Sequence, residues 1–116
     1  MVKYDDELEQ YVLKYKDMIF CWDDDPDEDQ IETAGELRKS YNKNKKNIAK
    51  AIYEDSIKDI FGEMDLDEVI EKLGIPQIDP EVGEVAYCEQ TFDYEHVISF
   101  EFMDDFEEID NIALNG

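Results

Sequence analysis

The chain has 116 residues, with 33 Asp and Glu against 11 Lys and Arg, a net charge of −22, and 42% hydrophobic and 12% aromatic residues. That length specifies one domain with one modest core, and the aromatic content separates the chain from acidic disordered segments. The charge weighs against direct contact with nucleic acid or an anionic membrane, because both need cations facing phosphates.

The N-terminal residues 1–10 are polar and acidic and lack the apolar stretch of a signal peptide. No segment approaches transmembrane length, so the expected address is the cytoplasm. Residues 11–22, Tyr-Val-Leu-Lys-Tyr-Lys-Asp-Met-Ile-Phe-Cys-Trp, are rich in aromatic and β-branched residues, and Lys16-Asp17 breaks them in two. They are expected to form a hairpin of two short strands. The rival is a helix from Asp5 to Lys16, on which Leu8, Tyr11, Val12 and Tyr15 share a face. Asp23 to Asp29 (DDDPDED) is a turn or loop, because Pro26 and the like charges disfavour a regular element.

A long helix follows. Ile31, Ala34, Leu37, Tyr41, Ile48 and Ile52 recur at helical spacing, with Asp29 as the expected cap and Glu32 at the capping-box distance. Six of the 11 bases (Arg38, Lys39, Lys43, Lys45, Lys46, Lys50) fall on it. They are expected to form a solvated face paired with acids of the same chain. Ile57, Ile60 and Phe61 continue the apolar face to Gly62. A second helix is capped by Asp65 with Glu68 at N3. It buries Leu66, Val69, Ile70 and Leu73, stops at Gly74, and is kept from restarting by Pro76.

The period then changes to two. Glu84–Phe92 and His96–Phe102 read as strands joined by Asp93-Tyr94-Glu95. His96, Ile98, Phe100 and Phe102 lie on one face of the second strand, and Val97, Ser99 and Glu101 on the other. Asp104-Asp105 turns the chain into a third strand, Glu107–Leu114. The expected fold is therefore α+β: an N-terminal hairpin, two to three helices, and a C-terminal three-stranded antiparallel meander packed on the helices.

Chemistry finds little purchase. Cys21 and Cys88 each sit in an apolar run, are too few for a disulfide framework, and are expected to be small buried hydrophobes. With one histidine, they do not make a zinc set. Cys88 and His96 could face each other across a hairpin, but no third residue marks itself as an orienting partner. Asp23, Asp25, Asp27 and Asp29 alternate like calcium ligands, yet an EF-hand loop needs Gly and Glu where Glu28 and Ala34 stand. No phosphate-binding glycine loop is present. The expectation is no catalytic residue, no metal and no cofactor.

Residues 73–116 carry 12 acids and no Lys or Arg. Such a segment points to a basic protein partner, since complementary charge speeds encounter and selects partners. The candidate contacts are Trp22 with Asp23, Asp24 and Asp25, and a strand-and-turn group of Glu89, Glu101, Asp104, Asp105, Glu107 and Glu108.

Over residues 62–116, the run Gly62 to Leu73-Gly74-Ile75-Pro76-Gln77-Ile78-Asp79, then Tyr87-Cys88-Glu89-Gln90-Thr91-Phe92-Asp93-Tyr94-Glu95-His96-Val97-Ile98-Ser99-Phe100-Glu101-Phe102, then Phe106-Glu107-Glu108-Ile109 and Leu114-Asn115-Gly116, resembles small acidic bacterial proteins met as immunity proteins of polymorphic or contact-dependent toxin systems. The resemblance covers about half the chain. It implies a rigid inhibitor whose acidic surface covers a basic toxin, for instance a nuclease. Two other expectations compete with it: a phage-type acidic mimic of nucleic acid that blocks a defence nuclease, and a metal-binding or enzymatic module.

Overall fold

The computed structural model describes every residue except Tyr94 and Gly116, together with the side chain of Asp104. In chain order the elements are β1 (Lys3–Asp5), β2 (Gln10–Lys14), β3 (Ile19–Trp22), α1 (Glu28–Ile52), a π-helical segment (Tyr53–Ile57), α2 (Lys58–Phe61), α3 (Leu66–Leu73), β4 (Gln77–Asp79), β5 (Glu84–Tyr87), β6 (Val97–Met103), a short 3-10 turn (Asp104–Phe106) and β7 (Glu108–Asn115).

The seven strands form one sheet in the order β1-β2-β3-β4-β5-β6-β7. Every neighbouring pair is antiparallel except β3 and β4, which run parallel. A parallel pair needs a long crossover, and the helices between Trp22 and Gln77 supply it. This overturns the expected arrangement, in which an N-terminal hairpin stands apart from a three-stranded meander packed on the helices. The hairpin β2–β3 is present, but β4 joins it to the C-terminal strands in a continuous sheet. The joining strand is only three residues long, between Pro76 and Pro80, and too short to show a period. Its Ile78 is nonetheless fully buried. No helix spans Asp5 to Lys16.

The start of the long helix differs from expectation, and its end at Gly62 does not. α1, the π segment and α2 follow one another without a break, so the described residues form one long helix and the short α3. Asp27, not Asp29, caps α1. Its carboxylate accepts the Gln30 N–H at 2.9 Å, and the Gln30 side chain accepts the Asp27 N–H at 2.9 Å. This places Glu28 and Asp29 in the first turn, where the helix dipole favours negative charge. Asp65 caps α3 as expected, accepting the Glu68 N–H at 2.8 Å.

The strand expected over Glu84–Phe92 stops at Tyr87 because the buried side chain of Gln90 takes over. Its amide oxygen accepts the Phe92 and Asp93 N–H groups, and its nitrogen donates to the carbonyls of Asp93 and His96. The backbone of Phe92, Asp93 and His96 is thus organised around one side chain rather than a ladder.

The core lies between the helices and one face of the sheet. Phe20, Trp22, Ile78, Val85, Tyr87, Ile98 and Phe100 meet Ala34, Leu37, Tyr41, Ile48, Ile52, Ile57, Val69 and Leu73. Inside it, the Tyr41 and Tyr87 hydroxyls share a hydrogen bond of 2.7 Å. Burial pushes the Tyr41 phenol up to about 12 and raises that of Tyr87 well above its ordinary value. Among the described residues every buried side-chain nitrogen and oxygen has a partner.

Candidate interaction surface

Side chains alternate across a sheet, so the residues between the core positions point to the face the helices leave uncovered. The register lets one row be followed from edge to edge. Lys3 pairs with Val12 and Val12 with Cys21. The parallel register of Ile19 with Gln77 and Phe20 with Ile78 sets Cys21 beside Asp79. Asp79 pairs with Glu84, Glu84 with Glu101, and Glu101 with Asp110. The row therefore starts with a lysine on one edge, crosses two apolar side chains, and ends in four carboxylates on four adjacent strands. Neighbouring strands lie about 4.8 Å apart, and like charges directly opposite each other destabilise a sheet. Among the described residues none of the four carboxylates is in a salt bridge.

The surroundings reinforce the sign. The Asp79 carboxylate accepts the N–H groups of Glu81 and Val82, which folds the β4–β5 turn. Asn111 donates its side-chain amide to Glu101 and holds that carboxylate in place. Burial, and then the Asp79 charge, pushes the Cys21 thiol up to about 11. Beyond the row, Val82 and Met103 are 64% and 58% exposed. They share a cleft with Gly83, Glu101, Glu107, Glu108 and Asp110. Two exposed apolar side chains inside a ring of acids combine an anchor with a charged rim.

Of the expected contact residues, Glu101, Glu107 and Glu108 come together in that cleft. Asp105 lies exposed in the adjoining turn, and the Asp104 side chain falls outside the described residues. Asp23, Asp24 and Asp25 are exposed at the same end of the sheet, since they follow β3 where its parallel neighbour β4 also ends. Glu89 is not part of the group. It follows β5 at the opposite end, with its carbonyl against Gly74. Trp22 is 1% exposed and stacks near Phe20 in the core, so it offers no surface anchor. Asp79, Glu84 and Asp110 escaped sequence reasoning because only strand register shows that they stand in line.

The remaining candidates resolve individually. His96 Nδ1 lies 2.6 Å from the Asp93 carboxylate. Partial burial works against ionisation of Asp93, but bonds from His96, Gln90 and the backbone of Glu95 and His96 outweigh it and hold that carboxyl down at about 2. Asp93 thereby fixes the His96 ring within the loop. Cys88 is exposed, contrary to expectation. Partial desolvation and then the Glu89 charge push its thiol up, the reverse of an activated nucleophile. Among the described residues no three His, Cys, Asp or Glu side chains gather as metal ligands. In the Asp-rich loop, Asp23 accepts from Gln10 and Asp27 caps α1.

The lysines of α1 are not paired as expected. Among the described residues the sole Lys or Arg salt bridge is Arg38 with Asp17 at 2.9 Å, with the guanidinium 4.5 Å from the Tyr15 ring. Partial burial opposes the charge on Asp17, but Arg38 and Asn42 outweigh it and lower its pKa.

No helix among the described residues is long and apolar enough to cross a membrane. Compared with models of known protein families, with curated proteins and with solved structures, the chain matches none.

Proposed function

We propose that this protein binds a basic protein partner through the acid-bearing end of its uncovered sheet face, as an immunity protein covers a cognate basic toxin. The observation that carries the reading is the unbroken row Asp79, Glu84, Glu101 and Asp110. Solubility requires only scattered charge. Four like charges stacked across adjacent strands instead lower the stability of the free protein, by roughly 0.2–1 kcal/mol for each opposed pair. A basic surface laid over them converts that repulsion into attraction and steers encounter. Val82 and Met103 supply the apolar contact that charge lacks. A nuclease toxin suits this surface because its own cleft must be basic to hold phosphates. The reading places the protein in the cytoplasm, where such a toxin would act.

The test is capture of the partner from producing cells with the wild-type chain and with Glu84→Lys/Glu101→Lys. The wild type retains a protein with a basic surface and inhibits its activity, while the reversed variant does neither. Equal capture by both refutes the role of the row. If the captured protein is a restriction or RNA-guided nuclease, the nucleic-acid mimic replaces the immunity protein.

A further inference from the structure

The structure also points to how a basic partner is held. We propose that the outer edge of β7 accepts one extended segment of that partner as an eighth strand, in which basic and apolar side chains alternate. The inference rests on the basic-partner reading above and adds a backbone mode of recognition to it.

Among the described residues β7 is the longest strand, and it lies at the edge of the sheet. Its main-chain orientation follows from its neighbour. The Phe102 N–H is donated to the Gly83 carbonyl at 2.9 Å, on the β5 side. Phe102 thus faces away from β7, and Glu101 and Met103 turn their main chain toward it. Ile109, opposite Phe102, must then point its own N–H and C=O outward. The same parity applies to Leu114, opposite Ile98. These are the groups a partner strand pairs with in β-augmentation.

The side chains of β7 define the sequence that would fit. Glu108 and Asp110 are exposed on the uncovered face, and Asp110 continues the acidic row. Ile109, Ile112 and Leu114 are half-buried on the helix side and pack against the core. An added strand therefore meets carboxylates on one face and aliphatic side chains on the other, so alternating Lys or Arg with Val, Ile or Leu complements both. The opposite edge, β1, is three residues long and carries Lys3, with Lys14 beside it on β2, so a basic strand is repelled there. A second copy of this chain is a poor occupant, because each carries −22 and like net charges repel. The bulge at Asn111, φ 50°, bends the edge and further discourages self-pairing.

The test uses the full chain and the synthetic peptide acetyl-Lys-Val-Lys-Val-Lys-Val-Lys-Val-amide, followed by backbone amide NMR titration at about 0.15 M NaCl. In the proposed register the Val opposite Ile109 points its N–H at β7, and each Lys points its N–H to solvent. The peptide is expected to shift the Ile109 and Leu114 amides. Methylating the Val nitrogens is expected to weaken binding at least tenfold, and methylating the Lys nitrogens to change it less than threefold, with charge equal throughout. Glu101→Lys/Asp110→Lys is expected to weaken binding at least tenfold. If both methylated peptides bind like the parent, or the parent shifts only amides away from β7, strand addition is overturned while a basic partner stands. If the charge variant also binds unchanged, or the parent peptide does not bind, the edge proposal fails, and the unchanged charge variant removes the basic-partner reading with it.

Discussion

Glu84→Gln is expected to stabilise the free protein. Glu84 is exposed on β5 and stands directly opposite Asp79 on one side and Glu101 on the other. At a charge separation of about 5.5 Å, each neighbour contributes ~0.8 kcal/mol of repulsion in water. Salt near 0.15 M halves that, to ~0.4 kcal/mol. Removing both contacts should raise unfolding stability by roughly 1 kcal/mol, or about 4 °C in Tm. The assay is urea denaturation of the wild type, Glu84→Gln, Glu101→Gln and the double variant, at low and high salt. The cycle isolates the Glu84–Glu101 term from the hydrogen bond that Asn111 gives Glu101. It should return a repulsive coupling of ~0.5 kcal/mol that shrinks as salt rises. A coupling of zero, or a destabilised Glu84→Gln with unchanged unfolding slope, would refute the like-charge row.

Tyr41→Phe and Tyr87→Phe should each destabilise by about 1–3 kcal/mol, because either change leaves a buried hydroxyl without its partner. The double variant should cost less than the sum, which chemical denaturation will show. Asp93→Asn should remove an acid-sensitive part of stability. The Asp93 carboxyl is held at about 2 against an ordinary 3.8, so its contribution is complete above about pH 4 and is lost as pH falls through about 2. The acid limb of the wild type should therefore be steeper than that of the variant between those values. Asp27→Ala should lower stability by about 1 kcal/mol through loss of the α1 cap, whereas Asp29→Ala should cost far less.

Reasoning from residues alone succeeded where a local rule decides the structure. Asp65 with Glu68, Gly74 and Pro76 bound α3 as their cap and stop chemistry requires. The alternation of Ile98 and Phe100 against Ser99 and Glu101 marks the two faces of β6. It failed where the deciding contact is distant. β4 is visible only through its partners, and β1 has too few residues to show a pattern. Trp22, placed among aspartates by sequence, is drawn into the core because β3 alternates toward the helices. The bonds of Gln90 end β5 early, and no propensity rule weighs one buried amide against a strand. The acidic row is the clearest case. Glu101 was legible as an exposed acid, but Asp79, Glu84, Glu101 and Asp110 lie far apart in sequence and form a line only once register is known.

The central claim is that this acidic end of the sheet captures a basic partner. Its most direct measurement is the association rate of the captured partner with the wild type and with Glu84→Lys/Glu101→Lys, followed by stopped-flow as salt is raised. The account predicts a fast wild-type rate that falls steeply with salt, and a variant rate slower by at least about tenfold at low salt and nearly flat thereafter. Equal rates with equal salt dependence would contradict it.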